Sequence, residues 1–440
     1  MQKIVLVLLD GLGDRSYEAL NYRTPLEAAA VPNLDRLASM GCTGLYHPTR
    51  PGECLPSETA HYRLFGYGME EFPGRGLLEA AGGGVPFGPS DVLCIAHLFS
   101  AGPRVKGGPV LYGESWKRVP AGESELEALY EAVMPFESEG VRFTLYRLRD
   151  NEGVLRLEGE VSPFVSDSDP MASGKPMARI VPLRPCPEPE KAARTARALN
   201  LFLVHCRKTL KNHPVNRDRI QRGLPPLDFL ATQRCGRRVP VEPFSERWGL
   251  RGLVIGSGTV FHGLASELGM DFVHSAVGDP ARDLQEKTTL ALDDTSHDFI
   301  HVHTKAPDEA AHRGNPLEKA KVVEALDLGL KGLVEALDSC EDLLVVVTAD
   351  HSTPCGSPLI HSGEPVPLLM CGQNVRRDRV GCFDENHAAA GGLGLLKGEE
   401  LMLTLLSTTG RAVLLGHRLG EAPKAYSTSA YEAFMDTDEG

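Results

Sequence analysis

No stretch of this 440-residue chain is apolar for long enough to cross a membrane. The only strongly apolar opening, from Ile4 to Leu9, is followed by no small-residue cleavage site, so no signal peptide is expected. The ten cysteines include no Cys-x-x-Cys pair. Scattered in this way they are expected to be reduced thiols of a cytoplasmic protein. Positive charge is in deficit: 46 Lys and Arg face 59 Asp and Glu, a net charge of -13. That balance disfavours nucleic acid and anionic membrane as partners, though not a local basic pocket for a small anion. Two nucleotide-binding signatures are also missing. The first apolar run ends in Asp10-Gly-Leu-Gly13-Asp14, whose carboxylates would repel a pyrophosphate, and no Gly-x-x-x-x-Gly-Lys-Ser/Thr occurs. A Rossmann dehydrogenase and a P-loop kinase are therefore excluded. No internal repeat is present.

What remains is an ordinary globular composition, 42% hydrophobic and 24% charged. The length calls for two domains, or for one core carrying a large insertion. Ile4-Val-Leu-Val-Leu-Leu9 reads as a strand buried on both faces. Thr24-Pro-Leu-Glu27 has the residues of a capping box, and Pro32 opens a short helix stopped by Gly41. The pattern returns with apolar strands at 253–255, 299–302 and 343–347. A single helix capped by Asn315 is expected between the last two, with Val323, Leu326, Leu330, Leu333 and Leu337 on one stripe. Strand–helix alternation at both ends predicts a doubly wound α/β core with a mostly parallel sheet, made from residues 1–97 and 241–440. The middle, 98–240, is richer in loop signals and contains an amphipathic helix at about 191–211; it reads as an inserted α+β cap domain. The acidic tail at 436–439 is expected to fray.

Several metal-ligand residue types follow these apolar runs. Asp10 ends the first strand, where a carboxylate projects into the crevice of a parallel sheet, although Asp-Gly alone also makes a turn. Ser57 follows Pro56 at a helix start and reads either as a plain N-cap or as a nucleophile facing a phosphate. Asp308 and His312, four apart, share one helix face, the spacing of a metal pair and equally of a surface pair. Asp350-His351 follows the strongest strand, and His361 lies ten residues on in a Pro- and Gly-rich loop. Together the set suggests two four-ligand sites. Carboxylates and imidazoles without thiolates favour Mn²⁺, Mg²⁺ or a catalytic Zn²⁺ over a structural zinc. His61, one helical turn after Ser57, is expected to support the site from behind.

Joined to Leu8-Leu-Asp10-Gly-Leu-Gly-Asp14, Pro32-Asn-Leu-Asp-Arg-Leu37, Ser57-Glu-Thr-Ala-His61, Gly74-Arg-Gly76, His303-Thr-Lys-Ala-Pro-Asp308, Thr348-Ala-Asp-His351 and His361-Ser-Gly-Glu-Pro-Val-Pro367, these patches have a recognisable order. The chain resembles the cofactor-independent phosphoglycerate mutases of archaeal type, in the alkaline phosphatase superfamily. The likeness is dense over the core and loose over the cap. It implies an alkaline-phosphatase-like core and two divalent cations per chain, Mn²⁺ first, with Mg²⁺, Zn²⁺ or Co²⁺ as alternatives, and no organic cofactor. It implies that Asp10, Ser57, Asp350 and His351 hold one cation and Asp308, His312 and His361 the other. Ser57 would take the phosphate of 3-phosphoglycerate and return it to give 2-phosphoglycerate. The expected partner is a small phosphorylated substrate, and a homo-oligomer is allowed.

The chain departs from the family where substrate is recognised. Cys94 to Arg104 lacks the family's cap arginine motif, His97 stands near an expected asparagine, and His262 replaces a lysine before Gly263. Pro56 replaces a glycine before the nucleophile, and the Gly-Ala-Gly-Arg motif appears as Gln233-Arg-Cys-Gly-Arg-Arg238, with Arg237 as its match. Arg75, Arg237 and Lys305 are the candidate substrate-anion ligands, with His97 and His262 beside them. A metal-dependent phosphatase or phosphomutase acting on another small phosphorylated metabolite is the alternative reading.

Overall fold

The computed structural model describes residues 2–102, 108, 110–113, 119–276 and 278–417; Arg104 and the tail at 436–439 lie outside them. The strands, in chain order, are β1 (Lys3–Leu9), β2 (Cys42–His47), β3 (Val92–Phe99), β4 (Phe136–Ser138), β5 (Val141–Arg149), β6 (Glu152–Glu158), β7 (Phe229–Gly236), β8 (Gly252–Gly256), β9 (Asp271–His274), β10 (Phe299–Thr304), β11 (Leu343–Thr348), β12 (Val366–Gly372) and β13 (Gly394–Lys397). Two compact units divide the chain, residues 1–72 with 241–440, and residues 73–240. The second crossing lies at 240/241. The first lies at 72/73 rather than 97/98, because β3, which contains residue 97, pairs on both sides with strands of the second unit.

In the first unit the sheet runs β13-β2-β12-β11-β1-β10-β8-β9. Its pairs are parallel except where β12 runs antiparallel to β11 and β2. The expected doubly wound α/β core is therefore present. From Ile4 to Leu9 β1 is fully buried, as its unbroken apolar sequence requires of a central parallel strand. The Thr24 capping box forms, with both reciprocal hydrogen bonds made. The long helix after Asn315 is two helices, Pro316–Gly329 and Lys331–Ser339. Helix Pro280–Asp293 packs against Gly329 so closely that a Cβ there would meet the Ala281 carbonyl at 2.7 Å. Thr288 Oγ1 also donates to the Gly329 carbonyl at 3.3 Å, and the regular ladder stops there. Among the described residues no helix is long and apolar enough to cross a membrane.

The second unit holds an antiparallel sheet, β4-β5-β6-β3-β7. Helix Pro189–Lys211 covers it, with Leu199, Phe202, Leu203, Cys206 and Leu210 all in its core. The expectation of reduced thiols meets an exception here, since Cys94 on β3 and Cys235 on β7 form a disulfide with Cα atoms 4.1 Å apart. Their 141-residue separation hides a cross-strand pairing that only the sheet register creates.

One buried cation fixes the turn after β1. Lys319 Nζ donates to the carbonyls of Gly11, Gly13 and Thr353 at 2.8, 3.2 and 3.0 Å, and to Asp14 Oδ2 at 2.9 Å. Both side chains are wholly inaccessible. Lys319→Met keeps the apolar stem but removes the ammonium from three carbonyls and a carboxylate. It is expected to cost about 3–5 kcal/mol of stability, the scale for removing one partner of a buried ion pair. Denaturant unfolding checks this, and a loss below about 1 kcal/mol would show that water replaces the ammonium without penalty.

Candidate metal centre

Every residue of the sequence-derived ligand set belongs to the first unit and converges at the carboxyl ends of β1, β10 and β11. Asp10 directly follows β1, and its amide still bonds to Thr304 O at the end of β10, at 3.0 Å. Asp350 and His351 follow β11. Asp308 and His312 sit on the short helix Ala306–His312, which starts one residue after Lys305 leaves β10. Ser57 is the first residue of helix Ser57–Leu64, and the capping position belongs to Pro56. A proline is tolerated there because its carbonyl, which accepts from the Thr59 and Ala60 amides, is all that position must supply. Ser57 makes no capping bond, so the plain N-cap reading does not hold.

The ligand atoms form two overlapping groups. Oxygens of Asp10 and Asp350 and a nitrogen of His351 lie within 4.8 Å of one another, and so do those of Asp308, His351 and His361. His351 is thus common to both groups, where the family pattern implies a place in the first alone. Its Nε2 is 3.0 Å from Ser57 Oγ, 3.1 Å from Asp350 Oδ2 and 3.5 Å from Asp10 Oδ1. His312 stands at the rim, half-exposed, with Nε2 3.3 Å from Asp308 Oδ1.

Several hydrogen bonds aim these groups. The Thr353 hydroxyl donates to Asp308 Oδ1 at 2.8 Å, so it accepts from His351 Nδ1 at 3.1 Å, and this leaves Nε2 as the atom facing the carboxylates. His361 Nδ1 donates to the Leu55 carbonyl at 2.7 Å, which turns Nε2 towards Asp308. His303 Nε2 donates to Asp10 Oδ2 at 3.0 Å. His61 Nδ1 donates to the Ser57 carbonyl at 2.7 Å and lies 3.6 Å from Asp350 Oδ2, in the supporting place expected of it. The Gly11 and His351 amides both donate to Asp350 Oδ1 at 3.1 Å. Thr353 and His303 are absent from the sequence-derived set. A second polar residue two positions before Lys305 was the available signal for His303; nothing local marks Thr353.

The donor set fits divalent cations. Asp10 Oδ1 and Asp350 Oδ2 are buried and accept no hydrogen bond. Two such oxygens beside an imidazole nitrogen call for a positive charge. Burial opposes ionisation of Asp10, but Lys305, with Nζ 3.7 Å away, and the His303 hydrogen bond hold its carboxyl below the usual range. Asp308 is likewise held low against burial, by hydrogen bonds to His312 and His361. Burial pulls His351 down, but the Asp350 and Asp10 carboxylates outweigh it and raise its pKa to about 8. Burial dominates at His303, whose pKa falls to about 4, and it remains a neutral donor.

The remaining candidates are dispersed. Lys305 borders the centre. His262, also in the first unit, stacks on Phe272 with ring centroids 4.7 Å apart. The other three lie in the second unit. Arg75 pairs with Glu79 at 3.1 Å, and Arg237 pairs with Glu188 at 3.1 Å. Arg75 and His97 line a cavity of about 250 Å³ together with Glu152, Asp169, Gln233 and Arg234. His97 is fully buried there, 3.1 Å from the Tyr112 hydroxyl and 3.4 Å from Asp169 Oδ2, and burial pushes its pKa down to about 3.

A cation reaching His351 competes with its proton. Below the value of about 8 the imidazole is protonated, so metal affinity is expected to fall roughly tenfold per pH unit on going down from there. Mn²⁺ titrations between about pH 6 and 9 check this, and a flat affinity would remove His351 from the ligand set. His303→Ala leaves Asp10 without its aligning donor and is expected to weaken metal binding by about 10–100-fold.

The Metalloenzyme superfamily matches residues 2–408. A 2,3-bisphosphoglycerate-independent phosphoglycerate mutase of Methanocaldococcus jannaschii is 39% identical, over 96% of this chain and 97% of its own. The enzyme of that name from Methanopyrus kandleri is 37% identical, over 94% of this chain and 98% of its own. Among solved structures, the cofactor-independent phosphoglycerate mutase of Thermoplasma acidophilum superposes with a TM-score of 0.61 at 29% identity, covering 93% of this chain and all of that one. A Pyrococcus horikoshii protein superposes with a TM-score of 0.75 at 27% identity, covering 94% and 99%. With matches that run nearly end to end on both sides, the chain belongs to the Metalloenzyme superfamily and, within it, to the family of the 2,3-bisphosphoglycerate-independent phosphoglycerate mutases.

Proposed function

We propose that this chain interconverts 3-phosphoglycerate and 2-phosphoglycerate in the cytoplasm, with Ser57 carrying the phosphate between the two hydroxyls. The observation that carries this reading is Ser57 Oγ, buried at a helix N-terminus 3.0 Å from His351 Nε2, the atom that also faces Asp10 Oδ1 and Asp350 Oδ2, two oxygens that accept no hydrogen bond. A structural metal site has no use for a nucleophile. Two divalent cations are proposed, Mn²⁺ first, on Asp10, Ser57, Asp350 and His351 and on Asp308, His312 and His361. When bound they neutralise the phosphoryl oxygens and lower the pKa of the serine hydroxyl.

Ser57 Oγ attacks phosphorus as the bond to the substrate's 3-oxygen breaks, leaving phosphoserine and glycerate. The 3-oxygen gains the proton that the serine hydroxyl loses. Glycerate then turns, its 2-oxygen attacks the phosphoserine, and Ser57 regains a proton as 2-phosphoglycerate forms. The positive end of helix Ser57–Leu64 and the Lys305 ammonium favour the incoming anion. For substrate recognition Arg75 and His97 are supported by their shared cavity. Arg237 and His262 have less support, since Glu188 engages one and Phe272 stacks on the other. One observation favours a phosphatase or phosphomutase for another small metabolite. The second-unit cavity sets Glu152 and Asp169 beside its arginines, a mixed lining rather than a purely cationic one.

An enolase-coupled assay of 3-phosphoglycerate without bisphosphoglycerate, with phosphate release followed in parallel, decides between them. Isomerisation exceeding phosphate release and abolished by EDTA is expected; phosphate release alone supports the second reading. Ser57→Ala is expected to lose roughly 10³-fold or more in turnover while keeping its fold and most of its metal affinity. Activity within about tenfold of wild type would take the nucleophile role from Ser57.

A further inference from the structure

The disulfide lies at an irregularity in the second unit's sheet. Leu93 pairs with Gly236 and Ile95 with Gln233, so Cys94 alone faces two residues, Arg234 and Cys235. β7 carries the extra residue, and Arg234 takes it up with φ +53°, a left-handed conformation unusual for arginine. Contacts on both sides of Arg234 hold the bulge. The Arg234 amide donates to Asp167 Oδ1 at 2.6 Å, Gln233 Nε2 reaches Asp169 Oδ2 at 3.4 Å, and Cys235 is bonded to Cys94. Gln233, Arg234 and the β3 residues Ile95 and His97 all line the 250 Å³ cavity. The bond therefore joins two strands that contribute side chains to that cavity, next to Arg234 with its left-handed backbone. On its far side, β7 ends against the first crossing of the chain between units. The Arg237 amide donates to Pro73 O at 2.9 Å, and a Cβ on Gly74 would lie 2.6 Å from Gly236 Cα.

We propose that Cys94–Cys235 is a thiol–disulfide exchange site whose co-substrate is a dithiol reductant, and that its state sets the bulge that presents Gln233 and Arg234 to the cavity. Cys235 is half-buried whereas Cys94 is buried, so attack falls on Cys235. A thiolate of the reductant bonds to Cys235 Sγ, and Cys94 leaves as a thiolate and takes up a proton. The reductant's second thiol then displaces Cys235, and the reductant departs as its own disulfide. Two electrons and two protons pass to the protein. Without the bond, the αL conformation at Arg234 loses its covalent anchor one residue away, and the bulge opens more often. The inference is independent of the proposed reaction, because its primary readout is structural.

The test uses the full-length chain with and without dithiothreitol. Alkylation and non-reducing peptide mapping are expected to link the Cys94 and Cys235 peptides, and no others, before reduction. Amide exchange over 229–237 is expected to rise by about tenfold or more after reduction, while exchange over β1 and β11 stays unchanged. Cys94→Ala/Cys235→Ala should exchange like the reduced protein in both buffers. If that variant fails to fold, the wild-type comparison alone decides. Unlinked thiols in the air-equilibrated protein, or equal exchange over 229–237 in both states, would overturn the proposal.

Discussion

Asp10, Asp308 and Asp350 are all buried beyond the carboxyl ends of adjacent strands of one sheet, and like charges held there repel strongly unless opposite charge or donors accompany them. Much of the first unit's polar architecture answers that constraint. Lys305 and the imidazoles of His303, His312 and His361 lie around the carboxylates. Backbone amides are spent on Asp350, and the Thr353 hydroxyl on Asp308. What is left over, two carboxylate oxygens with no donor, marks where the protein's own groups stop short and a cation is required.

Behind this layer lies a second, mostly uncharged one. His61 packs edge to face against His301 and His303, which stack on each other, and Phe65 and Phe261 lie against this group. Burial holds His301 and His303 neutral, so these rings add hydrogen-bond direction near the centre without adding positive charge that would compete with a metal. The turn after β1 gains its rigidity separately, from Lys319.

Much of this was legible in the sequence, for a physical reason. A strand buried on both faces must be apolar, so a carboxylate at its end stands out, and Asp10 and Asp350 could be read directly. The four-residue spacing of Asp308 and His312 and the helix-starting position of Ser57 are equally local signals. Groups that act across the sheet leave no such mark. Thr353 reads as one more loop threonine, and Lys319 as a surface residue of an amphipathic helix, until β1 and the loop after β11 come together. The break at Leu330 was hidden because the hydrophobic stripe continues through it, and only the approach of helix Pro280–Asp293 interrupts the ladder. The Cys94–Cys235 pair depends on a one-residue bulge, and cysteine spacing carries no trace of register.

The division of the chain bears on how it is made. Residues 73–240 are contiguous and own their sheet, whereas the other unit joins the N-terminal 72 residues to the last 200. β1, the centre of that sheet, finds its parallel neighbours only when β10 and β11 have been synthesised, some 300 residues later. On a ribosome, where units fold as they emerge, the inserted unit can complete its core while β1 still waits, apolar and unpaired. The proposed metal-ligand set, which runs from residue 10 to residue 361, can close only near the end of synthesis. During that interval Ile4–Leu9 is the segment most in need of protection from aggregation.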